Sequence, residues 1–295
     1  MRIGTDIILV TGATGSQGGA TTRELLARGH KVRVMTRNPD GPAAKTLATG
    51  GAEVVPGDLD DPASLEHALE GAWGTYAIQN TWEAGVEGEE EQGKRFAQLA
   101  AQAGVKHFVY ASVASADQQT GIPHFDNKAR IEETVRGLGF PSFTIVRPVF
   151  FMENLVSPWF KPGIDDGQIQ MAVTPETVVQ MIAVADIGKY GRLAFEQHEK
   201  LNGRAIDIAG DELTVPQAAS FISAAAGRTI THFQAPIEEV RKVSEDFAIM
   251  LEWFDRVGFS ANIATSAEEF GITPTTFATW ASTVSWERPR DPAMA

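Results

Sequence analysis

Cysteine is absent from this 295-residue chain. Disulfides, thiolate nucleophiles and cysteine-ligated metal centres are thereby excluded. Positive charge is scarce: 25 Lys and Arg stand against 38 Asp and Glu, a formal net charge of −13. A surface that acidic repels a phosphate backbone, so nucleic acid is not an expected partner, although a local basic patch can still take a small phosphorylated ligand. Long apolar runs are missing as well. The most apolar later window, residues 177–185, is far too short to span a bilayer and carries Gln180. The opening residues 1–6 lack the apolar stretch and small-residue cleavage site of a signal peptide. The expectation is a cytoplasmic protein without a membrane partner. His30, His67, His107, His198 and His232 show no paired spacing, so no metal site is expected. The Gly-x-Ser-x-Gly elbow of hydrolases is absent too.

What is present points to a folded α/β protein. Hydrophobic residues make up 43% of the chain and charged residues 21%, enough for a large core. The length suits one large or two small domains at about 150 residues each. The most informative stretch is Thr11-Gly12-Ala13-Thr14-Gly15-Ser16-Gln17-Gly18-Gly19. It follows the apolar run Ile7-Ile8-Leu9-Val10 and precedes a helix-like segment, which is the strand, turn and helix context of a nucleotide fingerprint. Gly12 permits a tight turn, Gly15 lets the backbone approach a pyrophosphate, and Gly18 lets helix and strand pack closely. Thr14, Ser16 and Gln17 complete the candidate phosphate loop at the positive end of the helix.

Through residue 150 the pattern alternates. Strands are expected over 7–10, 32–36, 53–56, 75–78, 107–111 and 143–146, and helices over 18–28, 42–49, 63–69, 89–103 and 127–138. This predicts a Rossmann fold, a doubly wound parallel sheet. Gly29, Gly104 and Gly139 sit where helix C′ residues belong, and Asp61-Pro62 reads as an N-cap with proline at the first helical position. The acidic run 87–91 reads as a solvated helix start. Residues 151–295 form a smaller α+β substrate lobe, with the chain crossing between the two domains. There, helices are expected near 186–197, 216–226, 237–253 and 274–282, strands near 205–209 and 231–234, and a frayed end through Pro289 and Pro292.

The second strand of many NAD-binding folds ends in a carboxylate that takes the ribose 2′-hydroxyl. Here it ends Val34-Met35-Thr36-Arg37-Asn38, with Arg37 in that place. A guanidinium matches a 2′-phosphate, so NADP(H) is expected over NAD(H). Asp58, in Gly57-Asp58-Leu59, either accepts from the adenine amino group or serves as a turn residue.

Residues 10–19, 36–39, 57–59, 125–128 and 146–154 together resemble the NmrA-like family of atypical short-chain dehydrogenase/reductases, and the similarity extends through Asp186-Ile187-Gly188 to Pro274-Thr275-Thr276-Phe277. The run Arg147-Pro148-Val149-Phe150-Phe151-Met152-Glu153-Asn154 is its most specific part. The resemblance implies a Rossmann domain for NADP(H), with Arg37 at the adenosine phosphate and Lys128 beside the nicotinamide ribose. It also implies a choice, because some members are reductases and others regulate a protein partner.

Ordinary short-chain dehydrogenases carry a serine and Tyr-x-x-x-Lys. Ser112 and Lys128 are in place, but His124 stands four residues before the lysine. His124 is either a substitute acid or a polar loop residue. Lys128 is either a ribose ligand or a general acid/base. Asn80, Thr81, Ser112, Pro148, Phe150 and Phe151 are expected at the carboxyl ends of the strands, where the ligand crevice of an open sheet lies. Trp82, Phe150, Asn154, Trp159 and Phe160 suit a flat aromatic substrate or, equally, the packing between domain and lobe. The leading reading is a reductase passing hydride from NADPH to an aromatic or quinone-like acceptor, whose proton can come from solvent. The alternatives are a nucleotide-sensing regulator and a tailoring enzyme of aromatic natural products. The sequence leaves the oligomeric state open.

Overall fold

The computed structural model describes residues 4–287. The frayed end expected around Pro289 and Pro292 lies outside them. The chain divides into two compact units. The first comprises the chain through Pro148, then Val184–Ile208 and Ala264–Ile272. The second comprises Val149–Ala183, Ala209–Ile263 and the chain from Thr273.

The first unit opens with β1 (Ile7–Val10), α1 (Ser16–Ala27), β2 (Lys31–Thr36), α2 (Pro42–Thr49), β3 (Glu53–Pro56) and α3 (Pro62–Leu69). It continues with β4 (Ala72–Ala77), α4 (Thr81–Gln102), β5 (His107–Ala111), α5 (Pro123–Gly137) and β6 (Ser142–Pro148). With the returning strand Ala205–Ile208 these make a seven-stranded sheet in the order (Ala205–Ile208)-β6-β5-β4-β1-β2-β3. Every pairing in it is parallel. Parallel strands need helices on both faces, which is why their residues are nearly continuous apolar runs. Ile8, Leu9 and Val10 are all fully buried.

The order reverses between β1 and β4, and that switch point is where an open sheet leaves a crevice. Thr11 spans the gap: its Oγ1 donates to the Ile78 carbonyl at 2.9 Å and accepts from the Ile78 N–H at 2.7 Å. Gly29, Gly104 and Gly139 have φ of +78°, +77° and +69°, the left-handed geometry that closes α1, α4 and α5. The Asp61 side chain accepts from the Ala63 N–H and caps α3.

Helix α1 is held from behind as well. The returning helix Val184–Glu196 presents Gly188 and Gly191 to it. A Cβ on Gly188 would lie 2.8 Å from the Ala20 backbone, and one on Gly191 would lie 2.7 Å from Thr21 Oγ1. Glycine is required there for close helix approach, which gives Gly188 of the Asp-Ile-Gly run a packing role.

The second unit carries a three-stranded sheet ordered (Asp211–Thr214)-(Val178–Ile182)-(Phe150–Phe151), and a parallel pair of Thr231–Phe233 with Gln168–Gln170. The helix expected over 237–253 is two helices, Ile237–Val243 and Glu245–Arg256. Ser244 leaves the helical region at φ −154° and its hydroxyl accepts from the Phe247 N–H at 3.2 Å. The serine and the two acids after it are an N-cap signature that the apolar periodicity across the break conceals.

A buried histidine ties the lower edge of the first unit together. His107 on β5 meets Ser142 Oγ at 2.9 Å through Nδ1, and Ser142 Oγ donates to the His198 carbonyl at 3.0 Å. Burial, and then the neighbouring His198, push the His107 imidazole down to about 3. The unfolded chain takes up this proton near pH 6.5, so stability falls as pH drops from there toward 3. Between pH 6.5 and 5 the loss from this group is about 2 kcal/mol. A thermal melt series from pH 7 to 5 should therefore show a shallower decline in Tm for His107→Gln than for the wild type. Parallel slopes would contradict the assignment.

Candidate functional site

The glycine turn is built as an anion cradle. Gly12 has φ +60°, which only glycine adopts without strain, and a Cβ on it would meet Ile78 Cγ2 at 3.2 Å. A Cβ on Gly18 would lie 2.5 Å from the Gly12 carbonyl oxygen. The loop and α1 thus touch backbone to backbone. Gly15 is the N-cap of α1; no side chain caps the helix and no acid stands in its first turn. The first-turn N–H groups of Ser16, Gln17 and Gly18 are consequently without helical acceptors, at the positive end of the helix dipole. Gly12, Thr14, Gly15 and Ser16 are exposed. The cradle therefore fits a dinucleotide pyrophosphate. The Gln17 side chain turns inward, its Nε2 donating to Tyr76 OH at 2.9 Å.

Arg37 follows β2 and is largely exposed, with its Nη2 donating to Glu83 Oε2 at 2.6 Å. Glu83 belongs to the first turn of α4, which starts earlier than the sequence suggests. Asn80 is the N-cap, its Oδ1 accepting from the Trp82 N–H at 3.1 Å. One turn later the helix is broken at Gly85 (φ +74°, ψ 170°) before it continues to Gln102. Residues 81–88 lack apolar periodicity, so the pattern becomes helical to the eye only at 89. The acidic run 87–91 thus opens the helical stretch that follows the break, with Glu87 and Glu91 exposed as expected and Glu89 turned inward. Glu89 is fully buried and shares the inner face of α4 with Gln92, Gly93 and Phe96.

Asp58 sits in a turn, its Oδ1 accepting from the Asp60 N–H at 3.0 Å. Arg95 from α4 holds this loop through the Leu59 carbonyl at 2.8 Å. Asp58 and Leu59 keep partly exposed surface beyond β3.

The other side of the crevice is formed by α5, which places His124, Lys128 and Glu132 four residues apart on one face. His124 is in the first helical turn, not in a loop, and its ring lies 5.4 Å from that of Trp82. Lys128 Nζ pairs with Glu89 Oε1. Burial alone would push the Glu89 carboxyl up, but the Lys128 charge and hydrogen bonds from Lys128, Thr81 and Asn127 outweigh it and hold the group below the usual range.

Glu132 anchors a second buried network. It accepts from Ser112 Oγ at 2.6 Å and from Arg147 through Nε at 2.8 Å and Nη2 at 2.5 Å. Arg147 Nη1 also donates to Asp117 Oδ2 at 2.7 Å. The Ser112 proton is thus committed to a carboxylate. Tyr110, two residues earlier, is fully buried, and burial and then the charge of Glu89 push its phenol well above the ordinary range. The Pro148 carbonyl, at the end of β6, accepts from the Ala114 N–H at 3.0 Å.

The remaining expected residues belong to the second unit. Phe150 and Phe160 are buried there, 6.1 Å apart, with Phe254 at 6.3 Å from Phe150 and Phe247 at 6.4 Å from Phe160. They pack that unit's own interior. Phe151 and Asn154 are half-buried. Trp159, like Trp82 in the first unit, is an exposed large aromatic. Among the described residues no cluster of three or more His, Asp or Glu suits a metal ion, and no helix is long and apolar enough to cross a membrane.

Comparison with known proteins agrees with this architecture. The model of the NmrA-like family matches residues 4–281. An NmrA-like family domain-containing oxidoreductase of Aspergillus hancockii is 29% identical over 298 residues, covering 92% of this chain and 84% of its own. Another, from Cladobotryum sp, is 36% identical over 169 residues, 54% of this chain and 50% of its own. Among solved structures, NmrA, a negative transcriptional regulator in complex with NADP, superposes with a TM-score of 0.79 at 22% identity, covering 95% of both chains. An NADPH-dependent quinone oxidoreductase from Escherichia coli gives 0.77 at 22% identity, with 94% and 98% covered.

The backbone contact of the cradle yields a direct test. Gly18→Ala should lower stability by about 1–3 kcal/mol, as overpacking does. A denaturant melt that shows no loss would mean that the loop and helix do not meet as described.

Proposed function

This chain belongs to the NmrA-like family, a family of NAD(P)-binding oxidoreductases, and we propose that it binds NADP(H) in its first unit and reduces a flat aromatic or quinone-like acceptor. The observation that carries this reading is the exposed, uncapped glycine cradle, with Arg37 rather than a carboxylate after β2. When bound, the reduced nicotinamide supplies the hydride. The first-turn amides of α1 hold the pyrophosphate. Arg37 takes the 2′-phosphate in exchange for Glu83. Asp58 and Leu59 flank the adenine, Asn80 and Thr81 border the crevice after β4, and Lys128 holds the nicotinamide-side ribose. Trp82, exposed beside His124, offers an aromatic surface to the acceptor.

Proton supply favours a conjugated acceptor. The Ser112 hydroxyl is engaged by Glu132, and the Tyr110 phenol is buried and held protonated. A quinone or dye can draw its proton from water or from His124, so hydride transfer does not require the missing tyrosine.

A second reading is favoured by one feature. The segment 81–84, bounded by Gly85, binds Arg37 through Glu83. A 2′-phosphate would displace Glu83 and NADH would not, so the two cofactors would leave the segment in different states, as a nucleotide sensor requires. Hydrogen exchange in this segment should then rise with NADPH and not with NADH. Identical exchange with both would remove the sensor reading.

The principal test is NADPH oxidation with a panel of quinones and dyes, where repeated turnover is expected. Tight NADPH binding with no turnover on any acceptor would sink the reductase assignment. Arg37→Ala should weaken NADPH by about 1.5 kcal/mol, the low end for a charged hydrogen bond because solvent reaches the site, and leave NADH unchanged. Equal losses would contradict the 2′-phosphate role.

A further inference from the structure

Lys128 is paired with Glu89. Glu89 is a fully buried carboxylate inside a helix, a placement tolerated only with charge and hydrogen-bond partners. Its Oε1 accepts from Lys128 Nζ. Its Oε2 accepts from Thr81 Oγ1 and from Asn127 Nδ2, the latter at 2.9 Å. Asn127 Nδ2 also donates to the Val86 carbonyl at 2.8 Å, beside the break at Gly85. The carboxylate therefore joins the segment leaving β4 to α5, and Lys128 is its charged partner.

Such a pair has a consequence for binding. A free lysine side chain carries rotamer entropy, which a ligand must overcome when it immobilises the ammonium. Here the ammonium is already held, with 13% of the side chain exposed. Removing the carboxylate would release it, while the cradle, on another element, would keep its geometry.

We propose that Glu89 is a positioning residue: it fixes the Lys128 ammonium for the ribose on the nicotinamide side of the cofactor, and Thr81 and Asn127 fix Glu89. This rests on the role given to Lys128 in the proposed function. It separates the two halves of the cofactor. Glu89 serves the nicotinamide half alone, through Lys128, and has no part in holding the adenosine 2′-phosphate.

The test is a double-mutant cycle on the full-length protein, with Glu89→Gln, Lys128→Met and the double variant. Calorimetric binding is measured for NADPH and for adenosine 2′,5′-bisphosphate, which lacks the nicotinamide half. Glu89→Gln should weaken NADPH roughly tenfold, about as much as Lys128→Met, and the double variant should lose no more than either. Binding of adenosine 2′,5′-bisphosphate should be unchanged throughout, which a general loosening of the fold could not produce. The inference is overturned if Glu89→Gln binds NADPH like the wild type, if the two losses add, or if both ligands weaken together. Should Glu89→Gln fail to fold, Glu89→Asp keeps the charge and withdraws its reach. It should lose NADPH affinity selectively, and unchanged affinity would overturn the inference equally. A wild type that binds no NADPH would instead defeat the functional reading, and this inference with it.

Discussion

The structure depends on one contact, the approach of Gly18 to the carbonyl of Gly12. No side chain fits between them, so the first turn of α1 lies directly on the loop that leaves β1. That contact aims the uncapped helix end outward from the carboxyl edge of the sheet. Thr11 bridges the divergence of β1 and β4 beside it, and Gly188 and Gly191 let a second helix press α1 from behind. The helix end is thus fixed by close packing on several sides, and its free amides are pre-organised for an anion.

The opposite wall follows a different rule. Helix α5 faces two buried carboxylates, Glu89 on α4 and Glu132 on α5 itself, and each has a cation: Lys128 for the first, Arg147 for the second. Burial makes these pairings obligatory. It also decides which groups remain available for chemistry. Ser112 is drawn into the Glu132 network and Lys128 into the Glu89 network, while His124 lies against Trp82. The wall is organised to hold a ligand more than to shuttle protons, which suits a reaction whose hydride comes from the cofactor.

Much of this was legible in the residues. The strands of the first unit's sheet, the glycine C-caps and the Asp61 cap follow from local chemistry, because apolar runs and left-handed glycines speak for themselves. The helix Ile263–Phe270 and the short strands Phe150–Phe151, Gln168–Gln170, Val178–Ile182 and Asp211–Thr214 were not anticipated. The strands lack the length for a clear period, and one carries a buried Gln180 whose amide pairs with the Ala261 backbone in both directions at 2.9 Å. The start of α4 was hidden by Gly85 and a polar first turn. The burial of Glu89 is hidden likewise: an acid in an acidic run looks solvated until the helix face that carries it is known. The ties of Ser112 to Glu132 and of Gln17 to Tyr76 are long-range, and nothing local announces them. Phe150 and Phe160 show the same limit, since pocket linings and cores draw on the same residue types.

In the proposed function the cradle and Arg37 together select a 2′-phosphorylated dinucleotide. The most direct measurement is a calorimetric titration of the unmodified protein with NADPH and with NADH at one ionic strength. Binding of both, with NADPH tighter by roughly tenfold, is the expected result. Equal affinities would contradict the part given to Arg37, and no binding of either would contradict the account as a whole.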